Sequence, residues 1–224
     1  MVLLALGTWQ VIRLSEKHHL IQTIQARVAE GPVDLPYQSP LNLEQWQYRQ
    51  VVLHGRFLYD EEALLYTGPK EINGTIGYNL LTPMQLTGGG TVLVDRGWVP
   101  YKQKNLKDRP ETQVAGDVTV IGMIHASEKP GMFTPKNDPD RHIWFWIDVP
   151  RMLGNISLDN PVAHYYIRAL RQPDMHGLPM PGEATVHYRN DHLQYAITWY
   201  SLAVILIIVY GAFRLQVLAA NTKD

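Results

Sequence analysis

The chain of 224 residues contains no cysteine. Disulfides, thiolate metal sites and cysteine nucleophiles are therefore excluded within it. Charge of one sign is also missing: 20 Lys and Arg stand against 21 Asp and Glu, a net charge of −1. Nothing in that balance steers the protein toward nucleic acid, so no nucleic-acid partner is expected. Catalytic signatures are equally scarce. Gly88-Gly89-Gly90 lacks the Lys-Ser/Thr ending of a phosphate loop and precedes a strand-like run, which reads as a turn. The five serines are scattered and none stands in a Gly-x-Ser-x-Gly elbow. His18 and His19 are adjacent, so they cannot share a helical face as metal ligands four residues apart do. No enzyme is expected.

What the chain does have is one long apolar run. Tyr195 to Phe213 holds no charged residue. As a helix its 19 residues would extend roughly 28 Å, close to the ~30 Å hydrocarbon core of a bilayer. Tyr195, Trp199 and Tyr200 crowd one end, Tyr210 and Phe213 the other, as amphipathic rings do at headgroup level. A core helix of this length seldom lacks charge on every face. A lipid bilayer is thus the first expected partner. A second, shorter run opens the chain, MVLLAL at Met1 to Leu6. It is too short to span a bilayer and lacks the basic start of a signal peptide. It reads as the second half of a transmembrane helix whose beginning is missing, with a short interfacial anchor as the alternative.

Between these runs the periodicity changes. Trp9 to Glu30 repeats Leu20, Ile21, Ile24 and Val28 at helical spacing, and Gly31-Pro32 ends the helix. From Trp46 the pattern is that of strands: Arg49–Phe57, Glu62–Tyr66, Gly77–Leu86 interrupted by Pro83, Thr91–Val99, Asp117–Ala126, His142–Val149 and Val162–Leu170. The Thr87–Gly90 cluster joins two of them as a hairpin. About seven strands with few helices predict a mainly antiparallel sheet, as a sandwich or partly closed barrel. The expected fold is membrane-anchored α+β, with a barrel-like extramembrane domain between a truncated N-terminal and a C-terminal transmembrane helix. Its divisions are 1–14 for the remnant of the first span, 15–30 for an amphipathic helix, 31–188 for the β-rich domain, 189–214 for the second span with its entry turn, and 215–224 for a short tail. Pro173 to Glu183 reads as a linker.

Four places invite a functional reading. The Lys102–Arg109 loop suits an acidic partner or anionic headgroups, or is simply solvated. Arg96, beside Asp95, suits an internal ion pair or an acidic partner. Trp144 and Trp146 fall on one strand face with Phe145 on the other, which fits core packing, a membrane-proximal surface or a ligand platform. His192 stands three residues before the charge-free run. Ionisable groups at that depth are functional candidates, and imidazole is an axial ligand of haem iron. Trp199 follows seven residues later, on nearly the same helix face and about 10 Å along the axis. An interfacial histidine and a belt tryptophan fit the same positions.

Several stretches resemble the surfeit-locus family of cytochrome c oxidase assembly factors. They are Leu6-Gly7-Thr8-Trp9-Gln10 with Arg13-Leu14 and Lys17, Val94 to Pro100, Pro135 to Pro139, Trp144 to Asp148, Arg189 to Ala196, and Thr198-Trp199-Tyr200. They cover nearly the whole chain in the family's order. The resemblance implies a two-span inner-membrane protein with its large domain on the periplasmic side in a bacterium, or the intermembrane-space side in a mitochondrion. It implies a role in building the haem a centre of oxidase subunit I, alongside other haem a biogenesis factors. It carries over His192 as the haem iron ligand and Trp199 as an aromatic of the haem pocket. The alternative is a scaffold that stabilises a subunit I intermediate and binds no haem. The departure from the family's pattern is the shortened first span.

Overall fold

A computed structural model describes residues 1–36, 41–68, 75–154, 161–173, 175, 177–183 and 191–221. The chain divides into two compact units, Met1–Gln25 with Val186–Asp224, and Ala26–Thr185.

The first unit is built on two helices. α1 runs unbroken over Val2–Ala29, so the opening apolar run and the amphipathic stretch form one helix. Gly31, at φ 74°, ends it, and its N–H donates to the Val28 carbonyl, as glycine does where a helix must turn left-handed. The opposite end of the chain forms α4, His192–Asn221. Within α4, His192–Gln216 is long and apolar enough to cross a membrane. Seven successive residues, Val204 to Tyr210, are each more than half exposed. Consecutive residues cover every side of a helix, so α4 is apolar all round and unburied, as a membrane anchor is and a core helix is not. α1 also exposes Val2, Leu4, Trp9, Val11 and Ile12, although Arg13, Glu16, Lys17, His18 and His19 follow within it.

The second unit is a five-stranded barrel with additional strands. β1 (Val33–Asp34) and the short helix α2 (Leu43–Trp46) precede β2 (Gln50–Phe57), β3 (Ala63–Tyr66), β4 (Gly77–Leu86), β5 (Thr91–Pro100) and β6 (Val118–Ala126). β7 (Ile143–Trp144), α3 (Val149–Gly154) and β8 (Pro161–Ala169) complete it. The sheet order is β1-β2-β6-β8-β5-β4-β3-β7, and a further β2–β4 pairing closes β2, β6, β8, β5 and β4 into a ring. Five of the eight pairings are antiparallel; β1–β2, β3–β7 and, within the ring, β5–β8 are parallel. The barrel is therefore mixed, and it is closed rather than partly open.

Closure depends on Gly55. This residue pairs with Val118 of β6 and with Leu86 of β4, so β2 changes partner around it. A Cβ at Gly55 would lie 2.0 Å from the Gln85 carbonyl oxygen; only glycine allows that approach. Pro83 does not interrupt β4, contrary to the pattern. Its carbonyl accepts from Leu58 N–H, so its N and O face the same side, in the gap between the β3 pairing at Leu81 and the β2 pairing at Met84. A missing donor costs no ladder bond there.

Strand alternation then sorts two cores. Val92 and Val94 of β5, Tyr165 and Ile167 of β8, Val51 and Leu53 of β2, Met84 and Ile124 fill the barrel. Leu93, Tyr166 and Leu81, on the outer face, meet Trp144, Ile147 and the α3 residues Val149, Met152 and Leu153. β5 is buried on both faces for this reason, which explains its nearly continuous apolar run.

Two sequence readings need correction. His142–Val149 is not one strand. His142 is left-handed at φ 54°, the ladder covers only Ile143 and Trp144, and side chains hold the rest. Asn137 Oδ1 accepts from Phe145 and Trp146 N–H, Glu128 from Ile147 N–H and Ser127 Oγ from Val149 N–H. Local polar groups thus displace the ladder. Trp144 is buried in the outer core and Trp146 half-buried. The described part of Pro173–Glu183 is not a free linker either. Met180 pairs with Trp98 through bonds of 2.8 Å both ways, and Gly182 bridges Leu170. Gly97 permits this strap: its φ is +113°, and a Cβ would come 2.1 Å from the Met180 carbonyl oxygen.

Candidate functional site

The first unit brings His192 to a buried amide. α4 presents His192, Ala196, Trp199, Tyr200 and Ala203 at helical spacing on one face. Ala196 and Ala203 are buried, while His192, Trp199 and Tyr200 are half-buried. Gly7 of α1 meets this face: a Cβ there would lie 2.8 Å from the Tyr200 ring. One residue on, Thr8 Oγ1 and Tyr200 Oη are 3.1 Å apart. A turn after Gly7 comes Gln10, only 8% exposed, whose Oε1 lies 2.7 Å from His192 Nδ1. The pairings 8 with 200 and 10 with 192 run in opposite directions, so the helices are antiparallel.

An amide oxygen only accepts, so the ring donates through Nδ1, and a neutral imidazole in that bond has its lone pair on Nε2. That is the form in which imidazole binds a metal. Among the described residues no group of three or more His, Asp and Glu side chains gathers to hold a bare ion. A single imidazole suits a group that brings its other ligands with it. Haem iron carries four macrocycle nitrogens and takes one or two axial ligands, so a lone imidazole donor such as His192 is compatible with it. Trp199 stands two turns along the same face and is half-buried.

The remaining candidates lie in the barrel unit and serve the fold. The Glu62 side chain is only 6% exposed, and its carboxylate binds two guanidinium groups: Arg96 at 3.2 Å and Arg109, which is fully buried. Thr82 Oγ1 donates to it as well, at 3.0 Å. In the Lys102–Arg109 loop Lys102 and Lys107 are exposed. Its last arginine turns inward, and Lys104 Nζ lies 4.6 Å over the Tyr101 ring. Arg96 also lies 4.9 Å over the rings of Phe57 and Tyr59. Of the two readings of Arg96, the ion pair within the domain is present, and its partner is Glu62. Asp95 accepts from Asn79 Nδ2, from Gly97 N–H and from Arg168 Nε. Burial pushes its carboxyl above the usual range, against the lowering by Arg168, Asn79 and Gly97. Both carboxylates are saturated by these partners and are structural ties. A cleft of about 620 Å³ in the same unit is lined by Phe57, Val118, Leu170, Met175 and Met180 among others.

Sequence reading missed Gln10 as a partner of His192 and Glu62 as the acceptor of two arginines. Gln10 sits in an apolar helical stretch, where a polar side chain signals a buried bond. Glu62 carried no such signal. Arg189 and Asn190, on which the resemblance also rests, lie outside the described residues.

Comparison with known proteins agrees with the motifs. The SURF1 family model matches residues 1–204. Among relatives, a SURF1-like protein of Monosiga brevicollis is 34% identical over 95% of this chain and 84% of its own length. Surfeit locus protein 1 of Homo sapiens is 36% identical over 88% of this chain and 69% of its own. A SURF1-like protein of Rickettsia conorii is 30% identical over 98% of this chain and 90% of its own.

Proposed function

From the premise that this chain belongs to the SURF1 family, we propose that it is a cytochrome c oxidase assembly factor that holds haem a and supports its insertion into subunit I. The protein acts without catalysing a reaction of its own. His192 would hold the iron, Trp199 would supply an aromatic surface of the haem site, and the barrel unit docks on subunit I or on other haem a biogenesis factors. α4 anchors the protein in a bacterial inner membrane, with the barrel unit in the periplasm; in a mitochondrion the corresponding side is the intermembrane space.

The observation that carries this is the bond from His192 to the buried Gln10. An interfacial histidine kept only for solvation would have no reason to be pinned by an inward-facing amide. When bound, haem a would bring the iron and its redox chemistry. The residues of this chain hold it, orient it and screen one face from water.

The test is oxidase assembly in cells lacking the endogenous protein. Wild-type chain restores the haem a content of purified subunit I, and His192→Ala leaves it depleted. Full restoration by His192→Ala would favour a scaffold that binds no haem.

A further inference from the structure

We infer that Gln10 is the positioning residue that makes His192 a ligand, by accepting the Nδ1 proton and fixing the tautomer whose bare nitrogen is Nε2. The inference rests on the haem reading above and deepens it. A neutral imidazole carries its proton on either nitrogen, and only the unprotonated one can bind iron. Left to itself near a membrane surface, the ring would sample both tautomers and several rotamers. The 2.7 Å contact to Gln10 Oε1 selects one of each.

Three features of α1 make that contact a built one. Gly7 lies one turn before Gln10 and has no side chain, so α1 reaches the Tyr200 ring closely. Thr8 ties the same ring through its hydroxyl. Gln10 itself is buried while its neighbours Val11 and Ile12 are about half exposed; the amide points inward, and its oxygen is spent on His192. Ligating histidines are commonly oriented through their second nitrogen by such an acceptor, and its loss weakens metal binding about 10- to 100-fold. The choice of amide over carboxylate also has a consequence. A neutral acceptor orients the ring without adding negative charge, so it keeps the iron's potential higher than an aspartate or glutamate would.

The full chain, purified in detergent with and without haem a, provides the test. In the haem-free protein labelled with 15N-histidine, His192 should carry its proton on Nδ1. Gln10→Met, of similar length and without an acceptor, should mix the tautomers and weaken haem a binding about 10- to 100-fold. Gln10→Glu, an acceptor when ionised, should at a pH where it is ionised keep the tautomer and bind within a few-fold of wild type, with a lowered midpoint potential. A His192 ring protonated on Nε2 in the wild type would overturn the inference. So would unchanged affinity and tautomer in Gln10→Met, or haem loss in a folded Gln10→Glu. These results are separable from failure of the haem reading, which is marked by His192→Ala binding haem a as well as wild type.

Discussion

Glu62→Ala removes one carboxylate and strands two buried guanidinium groups. Arg109 is fully buried and Arg96 nearly so. Arg109 keeps neutral acceptors, the Gln103 carbonyl at 3.0 Å and Thr112 Oγ1 at 3.2 Å. Arg96 keeps the Thr112 carbonyl and its two aromatic faces. Neither keeps a counter-charge. Breaking a buried pair from one side costs about 3–5 kcal/mol, and in a domain of 150–250 residues each kcal/mol lowers Tm by about 2–4 °C. The expected loss is therefore about 6–20 °C, read by thermal unfolding of the full chain in detergent. Glu111→Ala, at an exposed acid in the same region, should stay within about 0.5 kcal/mol of wild type. A Glu62→Ala loss below about 1 kcal/mol would refute the reasoning, because it would mean that both arginines find water or another anion.

Two further outcomes follow from the barrel unit. Burial, with Arg168 adding to it, holds the His125 imidazole down to about 3; the unfolded chain protonates it near 6.5. Between these values the unfolded state binds the extra proton, so stability falls as pH drops from about 6.5, by up to about 1.4 kcal/mol per unit. Asp95, pushed upward, contributes in the opposite sense, so the comparison is with His125→Gln. Urea unfolding of that variant should lose part of the wild-type slope between pH 6.5 and 5, and an identical slope would contradict the assignment. Gly97→Ala should cost more than about 1 kcal/mol and expose residues 177–183 to limited proteolysis, since its Cβ collides with the strap; wild-type resistance to cleavage would contradict it.

Periodicity made the barrel strands legible. Gln50–Phe57, Thr91–Pro100 and Val118–Ala126 lie within a residue of their sequence bounds at either end, because alternation and apolar runs report burial directly. The closed ring was not legible, because it depends on Gly55 meeting Gln85, a contact between residues 30 apart in a chain with many glycines. His142–Val149 misled because side-chain acceptors outside the segment, Asn137 and Glu128, replaced a ladder. Arg109 looked like a solvated loop residue because nothing local indicates that Glu62 is turned toward it. At the site, His192 and Trp199 were visible from their place at the edge of the apolar run. Gln10 was quoted in a motif, but its role needed two helices to meet across some 180 residues of chain.

The central claim is that His192 is a ligand of haem a, and the absorption spectrum of the purified protein tests it most directly. Full chain isolated in detergent from cells that make haem a should carry haem a bands, and His192→Ala isolated in parallel should lack them or shift them. A wild-type protein without bands, or a His192→Ala protein with identical ones, would contradict the account.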